Sequence, residues 1–148
     1  VGQQPLHTHD DDIDPTEGRT MDPAGGLAFA VGLITLGAVI HYVKKQVASG
    51  SIQRNSAIGI RTKATMSSDN AWEAGHAAAA PLLTATYLTA YAAGAITAAI
   101  TVAAKLSDIE KPAAIAIPVA GIAAVLALLS VSAVKANSAA RTAGHTGT

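Results

Sequence analysis

Three long stretches of the chain carry no charged residue: Pro23 to Val43, Gly75 to Ala104 and Pro112 to Val134. Each reaches or exceeds the roughly 20 residues that a helix needs to cross the hydrocarbon of a bilayer. The pattern predicts three transmembrane helices, hence an all-α integral membrane protein. The first stretch does not read as a cleavable signal, because an acidic tail precedes it where a basic segment would be expected. The expected organisation is an acidic tail over 1–22, a three-helix membrane domain over 23–134 and a second tail over 135–148. Between the first two spans lies a segment of another character, RNSAIGIRTKATMSSDNAWEAGH, Arg54 to His76.

That segment predicts a short interfacial loop followed by a helix start. Gly59 between Ile58 and Ile60 allows a sharp turn or a close approach while the two Ile seat in the interface. Arg61 follows, and its planar fork suits a lipid phosphate or a carboxylate, with Asp69 and Glu73 nearest in sequence. Ser67 or Ser68 reads as an N-cap, Asp69 complements the helix dipole, and Trp72 and His76 share a face at i, i+4. The helix should run straight into the second span. Trp72, close to the expected membrane boundary, fits an interfacial anchor.

Composition strengthens the membrane reading: half of the 148 residues are hydrophobic, 14% are charged, and the mean hydropathy is +0.35. Ten Lys and Arg balance ten Asp and Glu, and the basic residues form no block, so nothing resembles the electrostatic footprint of a nucleic-acid binder. Cys is absent, which removes disulfides, thiol catalysis and thiolate metal sites. Lys44, Lys45, Arg54, Arg61 and Lys63 lie between the first two spans, and Lys135 and Arg141 follow the third, leaving Arg19, Lys105 and Lys111 for the other side. The positive-inside rule then puts the N-terminus and the Ser107 to Lys111 turn outside, and the 44–73 loop and C-terminus in the cytoplasm.

The spans are rich in Ala, Gly and Thr. Ala90, Gly94 and Ala98, Ala28 and Gly32, and Ala120 and Ala124 fall at the small-xxx-small spacing that lets helix backbones approach closely. They serve packing among the three spans or packing against a partner. Pro81 and Pro118 lie inside the second and third spans, where kinks are expected, with Thr84, Thr86 or Ser130 as donors to freed carbonyls. No Asp, Glu, Lys, Arg or His occurs between Leu27 and Ile40, Ala77 and Ala104, or Pro112 and Val134, which argues against a self-sufficient transporter. A homo-oligomeric pore lined by Thr89, Thr97 and Thr101 is the alternative for ion passage.

Two reactive constellations can be drawn. Ser67 or Ser68 with His76 and Asp69 has the residue types of a hydrolase, but capping already explains the Ser and Asp residues, and no Gly-rich elbow surrounds either Ser. Walker-type loops and His-Glu-x-x-His sites are absent. In the N-terminal tail, His7, His9, Asp10, Asp11, Asp12 and Asp14 have the composition of an oxygen/nitrogen metal shell or of a solvated acidic tail. The reading expects no catalytic residue, cofactor or resident metal. The C-terminal NSAARTAGHTGT is small and polar and, taken alone, should be flexible; order in it would require something outside the chain to hold it.

The run Asn55, Ile58, Gly59, Ile60, Arg61, Thr62, Thr65, Ser67, Ser68, Trp72 and His76 resembles the signature of the SdpI family, bacterial integral-membrane proteins named for immunity to a secreted toxic peptide. Lys63 and Ala64 depart from it, where an aromatic or Pro would be expected after the Arg-Thr pair, and the acidic tail has no counterpart in the motif. The resemblance implies a multi-pass protein of the bacterial cytoplasmic membrane. It also implies contact of Asn55, Gly59, Arg61, Thr62, Thr65, Trp72, Glu73 and His76 with lipid or a partner. Two functions follow: an SdpI-like protein in peptide-toxin immunity or signalling, or an accessory subunit of a larger membrane complex, held by Ala/Gly-rich faces and tails.

Overall fold

The computed structural model describes residues 23–107 and 115–145. Among these, three helices are present and no strand: α1 (Pro23–Ala48), α2 (Asp69–Ser107) and α3 (Ala116–His145). All three are long and apolar enough to span a membrane. The acidic tail with His7 to Asp14, the connection through Lys111 and the last three residues lie outside the described part.

Local chemistry fixes the ends. Pro23 opens α1, where its missing N–H costs nothing. At the other end Gly50 turns into the left-handed region at φ +73°, while Ser49 N–H and Ile52 N–H bond the carbonyls of Lys45 and Gln46. The cap of α2 is Ser68, whose Oγ accepts the Ala71 N–H at 3.1 Å. The Ser67 hydroxyl instead donates to the Ala64 carbonyl at 2.7 Å.

The central helix is α2, which packs along both α1 and α3, while those two scarcely meet. The seams are built on glycine. A methyl on Gly94 would come within 3.0 Å of the Ala30 carbonyl oxygen, and one on Gly121 within 2.6 Å of the Ala93 Cβ. Such backbone approach is how membrane helices gain dispersion contacts that lipid cannot offer. The outward surfaces are apolar, with Val31, Leu88, Ile96 and Leu126 all exposed, as expected of faces turned to lipid. Buried hydroxyls stay paired within their own helices: Thr86, Thr97, Thr101 and Ser132 each donate to the carbonyl four residues earlier. Among the described residues no buried side-chain polar atom lacks a partner.

Several expectations change in three dimensions. Of the small-residue stripes, Ala90 and Gly94 are buried in the α1–α2 seam, whereas Ala28, Gly32 and Ala120 face outward. Thr97 and Thr101 point into the seams, with their hydroxyls spent on the helix, so they do not form the lining of an intersubunit pore. Pro118 sits in the first turn of α3, where an N–H would have no intrahelical partner, and needs no kink. Thr84 and Ser130 bond Ala80 and Leu126, their ordinary i−4 carbonyls.

The C-terminal segment does not hang free. Asn137 to His145 continues α3, and Ala136 and Ala140 are fully buried. Gly75 explains the order: a methyl there would come within 2.9 Å of the Ala136 carbonyl oxygen, so α3 lies directly against the start of α2. The chain itself supplies the surface that the segment's own composition lacks.

Helix lengths differ, and the difference shapes one end of the molecule. His41 stacks on Tyr87 at 4.5 Å, which sets the register of α1 on α2. Beyond that level α1 continues only to Ala48, about 10 Å, whereas α2 continues to Asp69, about 27 Å. The loop over 49–68 folds into the space that α1 leaves.

Candidate functional site

The loop is organised around two glycines, each with a polar side chain beside it. At Gly59 the backbone takes φ +124°, and a methyl there would lie 2.5 Å from Trp72 Cη2. The indole is therefore roofed by backbone, and Trp72 is only 4% exposed. His76 packs against it with ring centroids 4.0 Å apart. Trp72 is thus a core residue of the loop and not an anchor in the lipid interface, because the Gly59 turn covers the face that an anchor would expose.

His76 bonds the backbone on both sides of its ring. The Ile60 N–H donates to Nε2 at 2.9 Å, and Nδ1 lies 2.9 Å from the Trp72 carbonyl oxygen. A backbone N–H only donates and a carbonyl only accepts, so the proton sits on Nδ1 and the ring is neutral. The other polar group of Ile60, its carbonyl, accepts from Thr65 Oγ1 at 2.7 Å. Thr65 Oγ1 also accepts the Thr62 N–H at 2.9 Å, and Thr62 Oγ1 accepts the Thr65 N–H at 3.2 Å. Thr65 is fully buried, with its methyl toward Gly75 and, behind it, α3.

The arginines exchange the roles expected of them. Arg54, not Arg61, reaches Asp69, with Nε to Oδ1 at 2.8 Å, and its Nη1 donates to the Met66 carbonyl at 3.0 Å. Arg61 donates to the carbonyls of Ser56 and Arg54, closing the 54–61 turn. The turn carries Arg61 back over its own preceding residues, and so away from the start of α2. Replacing Arg61 by Ala is expected to cost the loop about 1 kcal/mol and to raise trypsin cutting at Arg54 about fivefold, with insertion unchanged. Unchanged cutting would mean that the two carbonyl bonds do not hold the turn.

The hydrolase types are not assembled. Both His76 nitrogens are taken by backbone, the Ser68 and Ser67 hydroxyls by the cap and by Ala64, and Asp69 by Arg54. Among the described residues no group of three or more His, Asp or Glu could hold a metal ion.

One side of the module is open. A pocket of about 710 Å³ lies where α1 stops, between its last turn, the 50–55 segment and the start of α2. Its wall is apolar, from Val47, Ile52, Ala77, Ala80 and Leu83, and its charged groups are Lys44, Arg54, Asp69 and Glu73. Asn55 and Glu73 are the exposed members of the expected set that border it. Lys44 and Ile52 were not among the expected contact residues; only the truncation of α1 and the return of the loop bring them opposite α2.

A model of the SdpI/YfhL protein family matches residues 51–132. The chain belongs to that family. The SdpI/YfhL match takes in the loop, all of α2 and α3 as far as Ser132, and leaves α1 and the last turns of α3 outside. One wall of the pocket, Lys44 to Gly50, therefore comes from outside the matched region. With three spanning helices, family membership makes this a multi-pass protein of the bacterial cell membrane, in contact with lipid. Comparison with curated proteins and with solved structures returns no match.

Proposed function

We propose that this SdpI/YfhL member is a non-catalytic membrane protein that acts in peptide-toxin immunity or signalling through protein contacts made by the outer face of its 54–76 loop. The observation that carries the reading is how the signature residues are used. Gly59, Arg61, Thr62, Thr65, Trp72 and His76 are spent on holding one loop shape, and that shape keeps Asn55, Ile58, Lys63 and Glu73 exposed. Ile58, an apolar side chain left exposed on that polar loop, is the contact point this reading uses. The loop is taken to face the cytoplasm, following the distribution of Lys and Arg. Because the chain has no Cys, a single Cys at Lys63 should be labelled only by reagents that enter the cell.

The test is a challenge of cells with membrane-active peptides. Loss of the protein should sensitise the cells, and Ile58→Asp with Lys63→Glu should do the same at unchanged abundance. Equal survival with and without the protein would sink the reading. The alternative, an accessory subunit of a larger membrane complex, is favoured by the small-residue faces left uncovered at Ala28, Gly32 and Ala120. Native mass spectrometry after mild extraction separates the two: fixed-stoichiometry partners support the subunit, and a lone chain or small homo-oligomer excludes it.

A further inference from the structure

Among the described residues, His76 is the one buried side chain of a type that titrates between about pH 5 and 8. On α2 it lies about 16 Å beyond Tyr87, whereas the charge-free part of α1 ends at Val43, two residues past the stacked His41. His76 therefore stands outside the hydrocarbon. It also lines the pocket where α1 stops, so water has a route to the ring.

The bonds of that ring exist in one protonation state only. Nε2 accepts the Ile60 N–H, and Nδ1–H donates to the Trp72 carbonyl, each at 2.9 Å. A proton added to Nε2 would set two donors against each other and leave the Ile60 N–H without its acceptor. The turn cannot slide aside to avoid this, because Gly59 already lies against both Trp72 and Nε2. The charged groups around the ring come from every element. Lys44 of α1 and Arg54 of the loop share the pocket with Asp69 and Glu73 of α2. Arg61 is turned back on the carbonyls of its own turn, and Lys63, with Lys135 and Arg141 of α3, is exposed. Arg54 takes Asp69, whereas Glu73, three residues before His76 on the same helix, is in no salt bridge among the described residues. Glu73 is thus the carboxylate that can receive an imidazolium once the ring leaves Ile60.

We propose that His76 is a proton-operated latch on the loop: neutral, it holds the 54–61 turn down over Trp72, and protonated, it releases Ile60 so that the turn lifts. The face that carries Asn55 and Ile58 moves with the turn. What the opening switches rests on the reading of that face as the contact surface; the latch itself does not. In the closed form Nε2 binds no proton, and in the open form it does. Closure is therefore fully held above the ordinary imidazole value and weakens as the pH falls below it. Acidification on the loop's side of the membrane withdraws the contact surface.

The test is hydrogen exchange of the full chain in mild detergent, read at the Ile60 amide and corrected for the intrinsic exchange rate at each pH. Protection should fall about tenfold between pH 7.5 and 5.5, the effect of one proton on an imidazole that titrates near 6.5 in the open form. His76→Gln, whose amide offers both an acceptor and a donor, should abolish the dependence on pH, and His41→Gln should leave it in place. Where Gln fails to hold the turn, exchange of the His76 imidazole C2–H in the unaltered chain decides, since it reports the ring's own protonation. The ring should stay neutral wherever Ile60 is protected. Protection that is constant over this range, or that still falls in His76→Gln, would overturn the latch. So would a ring that takes its proton while Ile60 stays protected. Survival under peptide challenge enters none of these readouts, so failure of the immunity reading and failure of the latch are separate results.

Discussion

Alanine at position 59 is expected to open the loop while leaving the protein in the membrane. Two costs combine there. A backbone at φ +124° is strained for any residue with a side chain, and the added methyl would lie 2.5 Å from Trp72 and 3.1 Å from His76 Nε2. Neither neighbour can retreat easily, because His76 is held at both ring nitrogens and Trp72 is packed against it. The combined penalty is about 3 kcal/mol, enough to raise the open population roughly a hundredfold. Trp72 is the only Trp, so its fluorescence reports this site alone. The expected result is red-shifted emission, with faster trypsin cutting at Arg54, Arg61 and Lys63 and unchanged helix content. Native-like emission in Gly59→Ala would mean that the turn does not depend on glycine.

Trp72→Ala should be comparably severe, although the two possible roles of this Trp forecast opposite results. An anchor in the lipid interface has one face solvated by headgroups, and its loss leaves the fold almost untouched. A core residue leaves a cavity, and removing a buried Trp costs about 3 to 5 kcal/mol. Here the cavity would lie beneath Gly59 and beside His76, so the Ile60 N–H would lose its ordered acceptor as the imidazole gained room. Thermal unfolding in detergent should drop by several degrees, and trypsin should reach the loop. Trp72→Phe, which keeps an aromatic under the turn, should recover most of the loss. A Trp72→Ala protein with wild-type loop protection would return the residue to an anchoring role.

Much of the loop's make-up was legible, but the pattern singled out residues that lie together without saying what they touch. Gly59, Thr65, Trp72 and His76 stood out in sequence, and the structure joins them in one packed unit. Their use differs from expectation because a motif records residue types and spacing and is silent on the path of the turn between them. That path decides which of two arginines, seven residues apart, meets Asp69. The C-terminal segment shows the same limit. Judged by its own apolar content it should be loose, yet it is helical because Gly75 lets α3 approach the backbone of α2.

By itself the sequence determined the features that depend on neighbours along the chain. Charge-free length gives three spans, Ser67 or Ser68 ahead of Asp69 starts the second helix, and Gly59 permits the turn. Each is a short-range property, fixed by hydration of the backbone and by the conformations open to a few consecutive residues. The tertiary structure alone decided the burial of Trp72, the pairing of Arg54 with Asp69, the docking of the α3 terminus and the pocket where α1 ends. The first two depend on the path of the 54–61 turn over α2, and the last two on the relative lengths and register of three helices, fixed by glycine contacts and the His41–Tyr87 stack between residues far apart in the chain, which no local pattern encodes.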